Sequence, residues 1–189
     1  MNEITKSITF LKEYKQLKRA VDEGKTPVLA VGLSAIHKAH LAAALGLDIG
    51  RPVLVLTDDD NAANRFAADL RGFSERDVVQ LPSRELVMAD VVGVSRGYEQ
   101  RRLAALDELT EAHFAVASVQ AAAQRTMPPE ALKAAIVSLA VGETAPLDEL
   151  AQSLTRAGYE RCVQVEGTGQ FSIRGGILDV FPPQAEHPY

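Results

Sequence analysis

The sequence has one cysteine, no tryptophan and only 5% aromatic residues. The single Cys162 excludes an internal disulfide framework and an all-cysteine metal site, and it is compatible with a reducing compartment. No stretch approaches the roughly 18 consecutive apolar residues of a membrane-spanning helix, and residues 1–9 lack the apolar run of a secretion signal. We therefore expect a cytoplasmic protein that makes no membrane contact.

An excess of positive charge is also missing. The chain has 20 basic and 25 acidic residues, which gives a formal net charge of -5. Because binding of a phosphate backbone needs a clustered positive face, any contact with nucleic acid has to be local. What is present is a length of 189 residues with 47% hydrophobic content, enough for one domain and part of a second.

Short apolar runs alternate with amphipathic stretches in the first part of the chain. Turn residues bound the runs, which we predict to be buried strands, and helical periodicity marks the stretches between them. The predicted strands are residues 27–32, 52–57, 78–81 and 114–118, and the predicted helices are residues 6–23, 35–45, 61–72 and 95–109. Strands that alternate with helices imply right-handed crossovers and a parallel sheet, so the predicted fold class is α/β.

The run Gln124-Arg-Thr-Met-Pro-Pro-Glu130 interrupts this alternation, because consecutive prolines remove backbone donors and restrict the residues before them. We place a domain boundary near Lys133, between residues 1–133 and a smaller α+β domain at residues 134–189. In the smaller domain we predict a strand at 135–141, a helix at 147–157 and extended segments at 162–166 and 170–181, with a hairpin turn at Gly167 and Gly169. Its last strand would need a neighbour, so we expect a truncated domain of a longer protein.

Residues 32–39 hold an incomplete phosphate-binding loop between a predicted strand and a predicted helix. A working loop reads G-x-x-x-x-G-K-[ST]: its backbone N–H groups surround the phosphates, its lysine neutralises charge and its hydroxyl binds Mg²⁺. Gly32 and Lys38 match this pattern, but His37 stands at the second glycine and Ala39 at the hydroxyl position. Ala39 cannot bind a metal, so we expect a degenerate, non-functional nucleotide loop.

Other polar groups have ordinary structural explanations. His37 and His40 are three residues apart on one predicted helix, but no third ligand is evident, so we predict solvated residues and no metal site. The acids at residues 58–60 could bind Mg²⁺, although capping of the next helix is favoured. Acidic neighbours offset a small basic set on the following helix, which we expect to be a solvated face; the set is Arg96, Arg101 and Arg102.

The most distinctive stretch is Glu166-Gly-Thr-Gly-Gln-Phe-Ser-Ile-Arg-Gly-Gly-Ile-Leu-Asp-Val-Phe-Pro-Pro183. Together with Gln124-Arg-Thr-Met-Pro-Pro129, Ala157-Gly-Tyr159 and Leu81-Pro-Ser-Arg-Glu85, it closely resembles the N-terminal region of bacterial transcription-repair coupling factors. The same block is similar to domain 2 of the excision-repair protein UvrB. The resemblance is specific from about residue 81 to residue 189 and is diffuse before that.

This resemblance implies a UvrB-like module. Residues 1–133 correspond to a helicase-like domain of the phosphate-loop type, without a working nucleotide site, and residues 134–189 to a domain that docks the damage-sensing protein UvrA. The family implies that the module has no ATPase activity and needs no cofactor. ATP, Mg²⁺, RNA polymerase and DNA would be bound by parts of the longer protein that this sequence lacks.

The resemblance also points to three candidate UvrA-binding residues, Arg161, Phe171 and Arg174. In UvrB the UvrA-contacting strands carry a Y-x-R segment and an F-R-x-R-G segment, matched here by Tyr159-Glu-Arg161 and Phe171-Ser-Ile-Arg174-Gly175. Phe171 is equally compatible with a core position, and Ser172 departs from the first arginine of the second segment. Residues 83–94 are short and contain no aromatic residue, so the damage-probing aromatic hairpin of UvrB is not expected.

Two alternative functions are also compatible with the sequence. Gly32 and Lys38 suggest an ATP-dependent helicase or translocase domain with an atypical phosphate loop. A small-molecule-binding α/β domain is the other alternative, although no dinucleotide-binding fingerprint supports it. We favour a non-catalytic module that recruits UvrA in transcription-coupled nucleotide excision repair.

Overall fold

The computed structural model describes residues 1–83, 96–183 and 185–189. The chain divides into two compact units: Met1–Ser83 with Glu108–Gln124 form the first, and Arg84–Asp107 with Arg125–Tyr189 form the second. The helices in chain order are α1 (Glu3–Ser7), α2 (Lys12–Asp22), α3 (Ala35–Ile49), α4 (Asp60–Ser74), α5 (Arg96–Leu109), α6 (Val119–Ala123), α7 (Pro129–Ala135) and α8 (Leu147–Arg156). The domain boundary near Lys133 stays a prediction. Of the helices in these described ranges, none is both long and apolar enough to cross a bilayer.

A parallel three-stranded sheet forms the centre of the first unit. Its strands are β1 (Val53–Thr57), β2 (Val78–Leu81) and β3 (Phe114–Ser118), in the order β1-β3-β2. Phe114 is in register with Val53 on one side and with Val78 on the other. All five residues of β3 are buried, as expected for a central strand of a parallel sheet. The predicted α/β class with a parallel sheet is confirmed.

The helix boundaries of the first unit follow local capping chemistry. The helix predicted at residues 6–23 is divided by a 3₁₀ turn at Ile8–Phe10, after which Leu11 has extended backbone angles. The helix α4 begins as predicted from its acids: the Asp59 carboxylate accepts a hydrogen bond from the Ala62 N–H at 2.6 Å. Such a side-chain cap satisfies one of the free N–H groups at a helix start, so the predicted capping role is confirmed for Asp59.

The core of the first unit is built by α4 and the sheet, with α3 packed closely beside them. Leu70, Phe114 and Val116 are completely buried, and small alanines of both helices pack among them. The closest approach is at Gly46 of α3, where a Cβ atom would lie 2.6 Å from Cγ2 of Val53 and 2.7 Å from Cε1 of Phe114. The absence of a side chain at Gly46 therefore sets the distance between α3 and the sheet.

Gly46→Ala is expected to destabilise the chain by about 1–3 kcal/mol, because the added methyl group would overlap Val53 and Phe114 in a packed core. The gain of about 1 kcal/mol that alanine brings to a helix interior offsets only part of this cost. Urea denaturation followed by circular dichroism measures the change. Gly72→Ala in α4 is the matched control, since a Cβ there meets no atom within 4 Å, and it should be stabilising. Stabilisation by both variants would contradict the close packing at Gly46.

Residues 27–32 are not a strand, so the prediction for this segment was wrong. Leu29 is 85% exposed and Val31 is 77% exposed. Neither sheet in the described ranges includes the segment. An apolar run becomes a strand only when a neighbouring strand completes its hydrogen-bond ladder, and apolar composition alone does not supply that neighbour.

The second unit contains a small mixed sheet of β4 (Glu160–Arg161), β5 (Gln170–Arg174) and β6 (Ile177–Phe181), in that order. The strands β4 and β5 are parallel, whereas β5 and β6 are antiparallel. The hairpin turn therefore lies at Gly175 and Gly176, where Gly175 has a φ of +64°. The prediction of a hairpin turn at Gly167 and Gly169 was wrong, because a parallel pair cannot be joined by a tight turn.

Local structure elsewhere in the second unit partly follows the sequence. The predicted helix at residues 147–157 is confirmed as α8. The predicted strand at 135–141 was wrong, since α7 ends at Ala135 and residues 136–141 are irregular. The predicted extended segment at 162–166 is also irregular, because only two residues of β4 pair with β5.

Two hydrogen bonds join helix α5 to the loop between β4 and β5. The Gln100 side-chain amide donates to the Thr168 carbonyl oxygen at 3.1 Å, and the Thr168 hydroxyl donates to Oε1 of Gln100 at 2.6 Å. The arginines of α5 are not simply solvated: the Arg101 guanidinium lies 5.5 Å from the centre of the Tyr98 ring, and burial lowers the pKa of Arg102. The Arg96 side chain and the predictions for residues 84–94 lie outside the described residues.

Candidate partner-binding site

The end of α8 sets the path of the chain into β4. Gly158, with a φ of +91°, donates its N–H to the Thr155 carbonyl at 3.1 Å, and Tyr159 donates its N–H to the Leu154 carbonyl at 2.9 Å. These two bonds form a Schellman motif, for which glycine is suited because it adopts positive φ without strain. Burial raises the pKa of the Tyr159 hydroxyl. Arg161 follows two residues later, at the end of β4, so the helix end helps to fix its backbone position.

The sheet brings the three candidate residues onto neighbouring strands. Arg161 is in register with Phe171 across the parallel β4–β5 pair, and Arg174 ends β5. Partners in register project on the same side of a sheet, and side chains along a strand alternate between its two faces. Arg161 therefore shares a face with Phe171, whereas Arg174 belongs to the opposite face with Ser172. The sequence spacing of the two arginines did not reveal this separation.

Phe171 occupies the core of the second unit. Its relative exposure is 0%, and it lies on the central strand between β4 and β6. A side chain with no exposed surface does not contact a docking partner directly. The expected contact role of the Phe171 side chain is therefore corrected to a packing role, which supports the strand that carries Arg174.

Ser172 is a buried residue of β5 that bonds to the segment following β4. It is 1% exposed, and its hydroxyl donates to the Val163 carbonyl at 2.9 Å. The Cys162 N–H donates to the Phe171 carbonyl at 2.9 Å, so two successive residues after Arg161 are held against β5. At the position where the resemblance has an arginine, this chain therefore uses a small buried hydroxyl that fixes the segment following β4.

Arg174 forms an ion pair across the β5–β6 hairpin. Its side chain is 65% exposed, and its Nη2 atom lies 2.7 Å from Oδ2 of Asp179 on β6. An ion pair of such exposure contributes only about 0–1 kcal/mol to stability. Asp179 was not singled out in the sequence. Its place five residues after Arg174, across a two-residue Gly-Gly turn, was the available indication.

The segment that the sequence predicts to be a degenerate nucleotide loop, residues 32–39, lies in the first unit. Gly32 has a φ of +78°, and α3 starts at Ala35 without a side-chain cap from Ser34. Instead, Oγ of Ser34 and Nδ1 of His37 form a hydrogen bond of 3.0 Å. Ala39, at the position of the magnesium-binding hydroxyl, is completely buried. The strand expected before this loop is absent, as described above, so the strand-to-helix context of a phosphate loop is not present in the described chain.

Lys38 borders an open cavity of about 670 Å³ at the exposed edge of β1. Its lining also includes two acidic side chains, one basic side chain and one hydroxyl, namely Asp58, Asp69, Arg65 and Thr57. Asp60 bonds to Ser83 instead. Its carboxylate accepts hydrogen bonds from the Ser83 hydroxyl at 2.5 Å and from the Ser83 N–H at 3.3 Å. Burial opposes ionisation of Asp60, but hydrogen bonds from Ser118 and Ser83 outweigh it and lower its pKa.

The two histidines, His37 and His40, have different surroundings. His40 bonds through Nε2 to the Ile4 carbonyl at 2.9 Å and stacks on Phe73 with ring centres 4.6 Å apart. It is therefore a structural residue that holds α1 against α3, rather than the solvated residue expected. In the ranges that the structure covers, no group of three His, Cys, Asp or Glu side chains is placed to hold a metal ion.

Comparison with known proteins identifies relatives of both units. Residues 137–189 match the family described as "UvrB interaction domain". The transcription-repair-coupling factor of Bacillus subtilis (strain 168) is 34% identical over 187 residues, which covers 95% of this chain and 16% of that protein. The factor of Myxococcus xanthus is 33% identical over 83% of this chain and 14% of its own length. The UvrABC system protein B of Hydrogenovibrio crunogenus (strain DSM 25203 / XCL-2) is 26% identical over 90% of this chain and 27% of its own length.

These matches locate the candidate residues within a known domain type. Arg161, Phe171 and Arg174 all fall in the matched range, residues 137–189. The chain spans less than a fifth of the length of the transcription-repair-coupling factors cited above, since it covers 16% and 14% of them.

Proposed function

We propose that this chain is a docking module that recruits UvrA in transcription-coupled nucleotide excision repair, because residues 137–189 match the family described as "UvrB interaction domain" and most of the chain is similar to transcription-repair-coupling factors. The observation that carries this proposal is the domain match at residues 137–189, which contains both exposed arginines, Arg161 and Arg174. In this proposal the module is non-catalytic and requires no cofactor. RNA polymerase and DNA would be bound by other parts of the longer protein.

The chemistry of the second unit supports a protein-docking role. Arginine presents a planar, permanently charged group with five N–H donors, which suits bidentate bonding to carboxylates on a partner. Arginine is also enriched among the residues that dominate binding energy at protein interfaces. Arg161 and Arg174 are both exposed, and each is held on a paired strand rather than on a free loop. A charged group on a fixed strand loses less conformational freedom on binding than one on an unstructured segment.

Direct titration of purified UvrA against this chain by biolayer interferometry tests the proposed function. We expect saturable one-to-one binding that weakens as salt concentration rises, because exposed arginines are screened by salt. Absence of binding at micromolar UvrA would overturn the proposal.

We further propose that the first unit is a helicase-like scaffold with a degenerate nucleotide loop. Three features support the absence of a working nucleotide site: Ala39 provides no hydroxyl for Mg²⁺, the His37 ring is hydrogen-bonded to Ser34, and no strand precedes the loop in the described chain. The competing candidate is an ATP-dependent helicase domain, which is favoured by the exposed Lys38 beside a cavity of about 670 Å³. A single titration separates the two.

Mg-ATP is expected not to bind at micromolar concentration, and Lys38→Ala should leave this result unchanged. Without a hydroxyl for the metal and with His37 in the loop, the backbone cannot surround the phosphates as a working loop does. Isothermal titration calorimetry measures the binding. Arg65→Ala is the control, because Arg65 lines the same cavity and would reveal general attraction of phosphate. Micromolar binding that Lys38→Ala abolishes and Arg65→Ala preserves would favour the helicase candidate.

A further inference from the structure

The β5–β6 hairpin places an acid beside one of the two exposed arginines. Ser172 is in register with Asp179 and Arg174 with Ile177, so Arg174 and Asp179 lie on the same face in a diagonal arrangement across the two strands. Their side chains meet at 2.7 Å between Nη2 of Arg174 and Oδ2 of Asp179. The Gly175-Gly176 turn keeps the strands in this register.

The two members of this pair differ in exposure. The Arg174 side chain is 65% exposed, whereas that of Asp179 is 29% exposed. Asp179 is thus the more buried partner, and it belongs to a paired strand. A guanidinium has five N–H donors, so an Arg174 that bonds Asp179 through Nη2 still has donors to offer to another carboxylate.

We propose that Asp179 is a positioning residue for Arg174, which it orients toward a carboxylate-bearing surface of the docking partner. This inference rests on the proposed UvrA-docking function and assigns a residue to it that the family resemblance did not supply. An unrestrained arginine side chain samples many rotamers, and holding it in one of them before binding reduces the entropy lost in the complex. Asp179 also lowers the net charge of this face, so that it favours partners whose acids fit the geometry of the guanidinium over any negatively charged surface.

A double-mutant cycle with purified UvrA tests the proposal. The variants are Asp179→Asn, Arg174→Gln and the two combined, with affinity measured by biolayer interferometry. We expect Asp179→Asn to weaken binding about three- to fivefold, the range of an exposed ion pair, and to have no further effect when Arg174 is already Gln. Glu166→Gln removes an exposed carboxylate from the same unit and is the matched control, for which we expect unchanged affinity.

The free chain provides a second, independent readout. In the wild type, the Nε–Hε group of Arg174 should show restricted motion by ¹⁵N relaxation, and Asp179→Asn should make it mobile on the picosecond to nanosecond timescale. Circular dichroism should show all three variants folded, because Arg174 is exposed and Asp179 is only partly buried.

Several results would overturn the proposal. Tighter binding by Asp179→Asn would mean that Asp179 shields Arg174, and equal weakening with and without Arg174 would mean that Asp179 acts independently of it. An Arg174 side chain that is already mobile in the wild type would also contradict the proposal. Failure of the wild-type chain to bind UvrA would instead overturn the docking function itself.

Discussion

Reversing the charge of both exposed arginines, in the variant Arg161→Glu/Arg174→Glu, should reduce the affinity for UvrA by at least about thirtyfold while the fold survives. Loss of a central interface arginine costs about 2 kcal/mol or more, which corresponds to about thirtyfold in affinity. The reversed charge adds repulsion from any carboxylate on the partner. Both side chains are exposed, so we expect little change in the free energy of unfolding. Biolayer interferometry measures the affinity and circular dichroism the fold.

The two single reversals carry additional information, because strand alternation assigns Arg161 and Arg174 to opposite faces of the sheet. If each single variant loses affinity, the partner must reach both faces around an edge of the small sheet. If only one does, the interface lies on that face. Arg156→Glu is the matched control, since Arg156 is an exposed arginine of the same unit at the end of α8. Unchanged binding by the double reversal would rule out these residues as the docking site.

Phe171→Ala should destabilise the second unit by about 3–5 kcal/mol, the range for removing a large buried aromatic side chain. Phe171 has no exposed surface and lies on the central strand that carries Arg174. A loss of this size is a large fraction of the total free energy of unfolding of a typical domain. We therefore expect substantial unfolding of this unit and loss of UvrA binding, measured by urea denaturation and interferometry on the same samples.

Phe171→Leu separates the packing role from a contact role. Leucine keeps most of the buried apolar volume, so the variant should fold with a smaller loss of stability and bind UvrA with nearly unchanged affinity. A direct contact would give the opposite pattern, with a folded Phe171→Leu variant and strongly reduced binding. That result would contradict the buried position of Phe171 and return it to the interface.

The accuracy of the sequence-based expectations depended on how local each feature is. The helices α3 and α4 and the strands β1 to β3 were predicted within a few residues, because apolar periodicity and capping acids such as Asp59 act over short distances along the chain. The segment 27–32 has equally suitable composition and failed, because a strand also needs a partner strand. The turn at Gly175 and Gly176 was missed for a related reason, since glycine pairs occur on both sides of β5 and only the pairing direction distinguishes them.

For the candidate site, too, the features that depend on local sequence could be predicted, whereas those that depend on distant contacts could not. The wording of residues 166–183, together with the motifs at residues 81–85, 124–129 and 157–159, was enough to indicate the related family, and the comparisons bear this out. Phe171 could not be assigned from the sequence, because an aromatic residue on a short strand suits either a core or an interface. The histidine at position 40 was likewise misjudged, since its contacts with Ile4 and Phe73 join parts of the chain that are far apart in sequence.

By itself, the sequence determined the α/β class and the kinship with UvrB-like proteins, because these depend on residue identity and short-range periodicity. Only the tertiary structure decided that β4 and β5 are parallel, that Phe171 is buried, that the two arginines belong to opposite faces and that Asp179 binds Arg174. These features depend on which strands become neighbours, and strand pairing joins residues whose separation along the chain carries no record of their register.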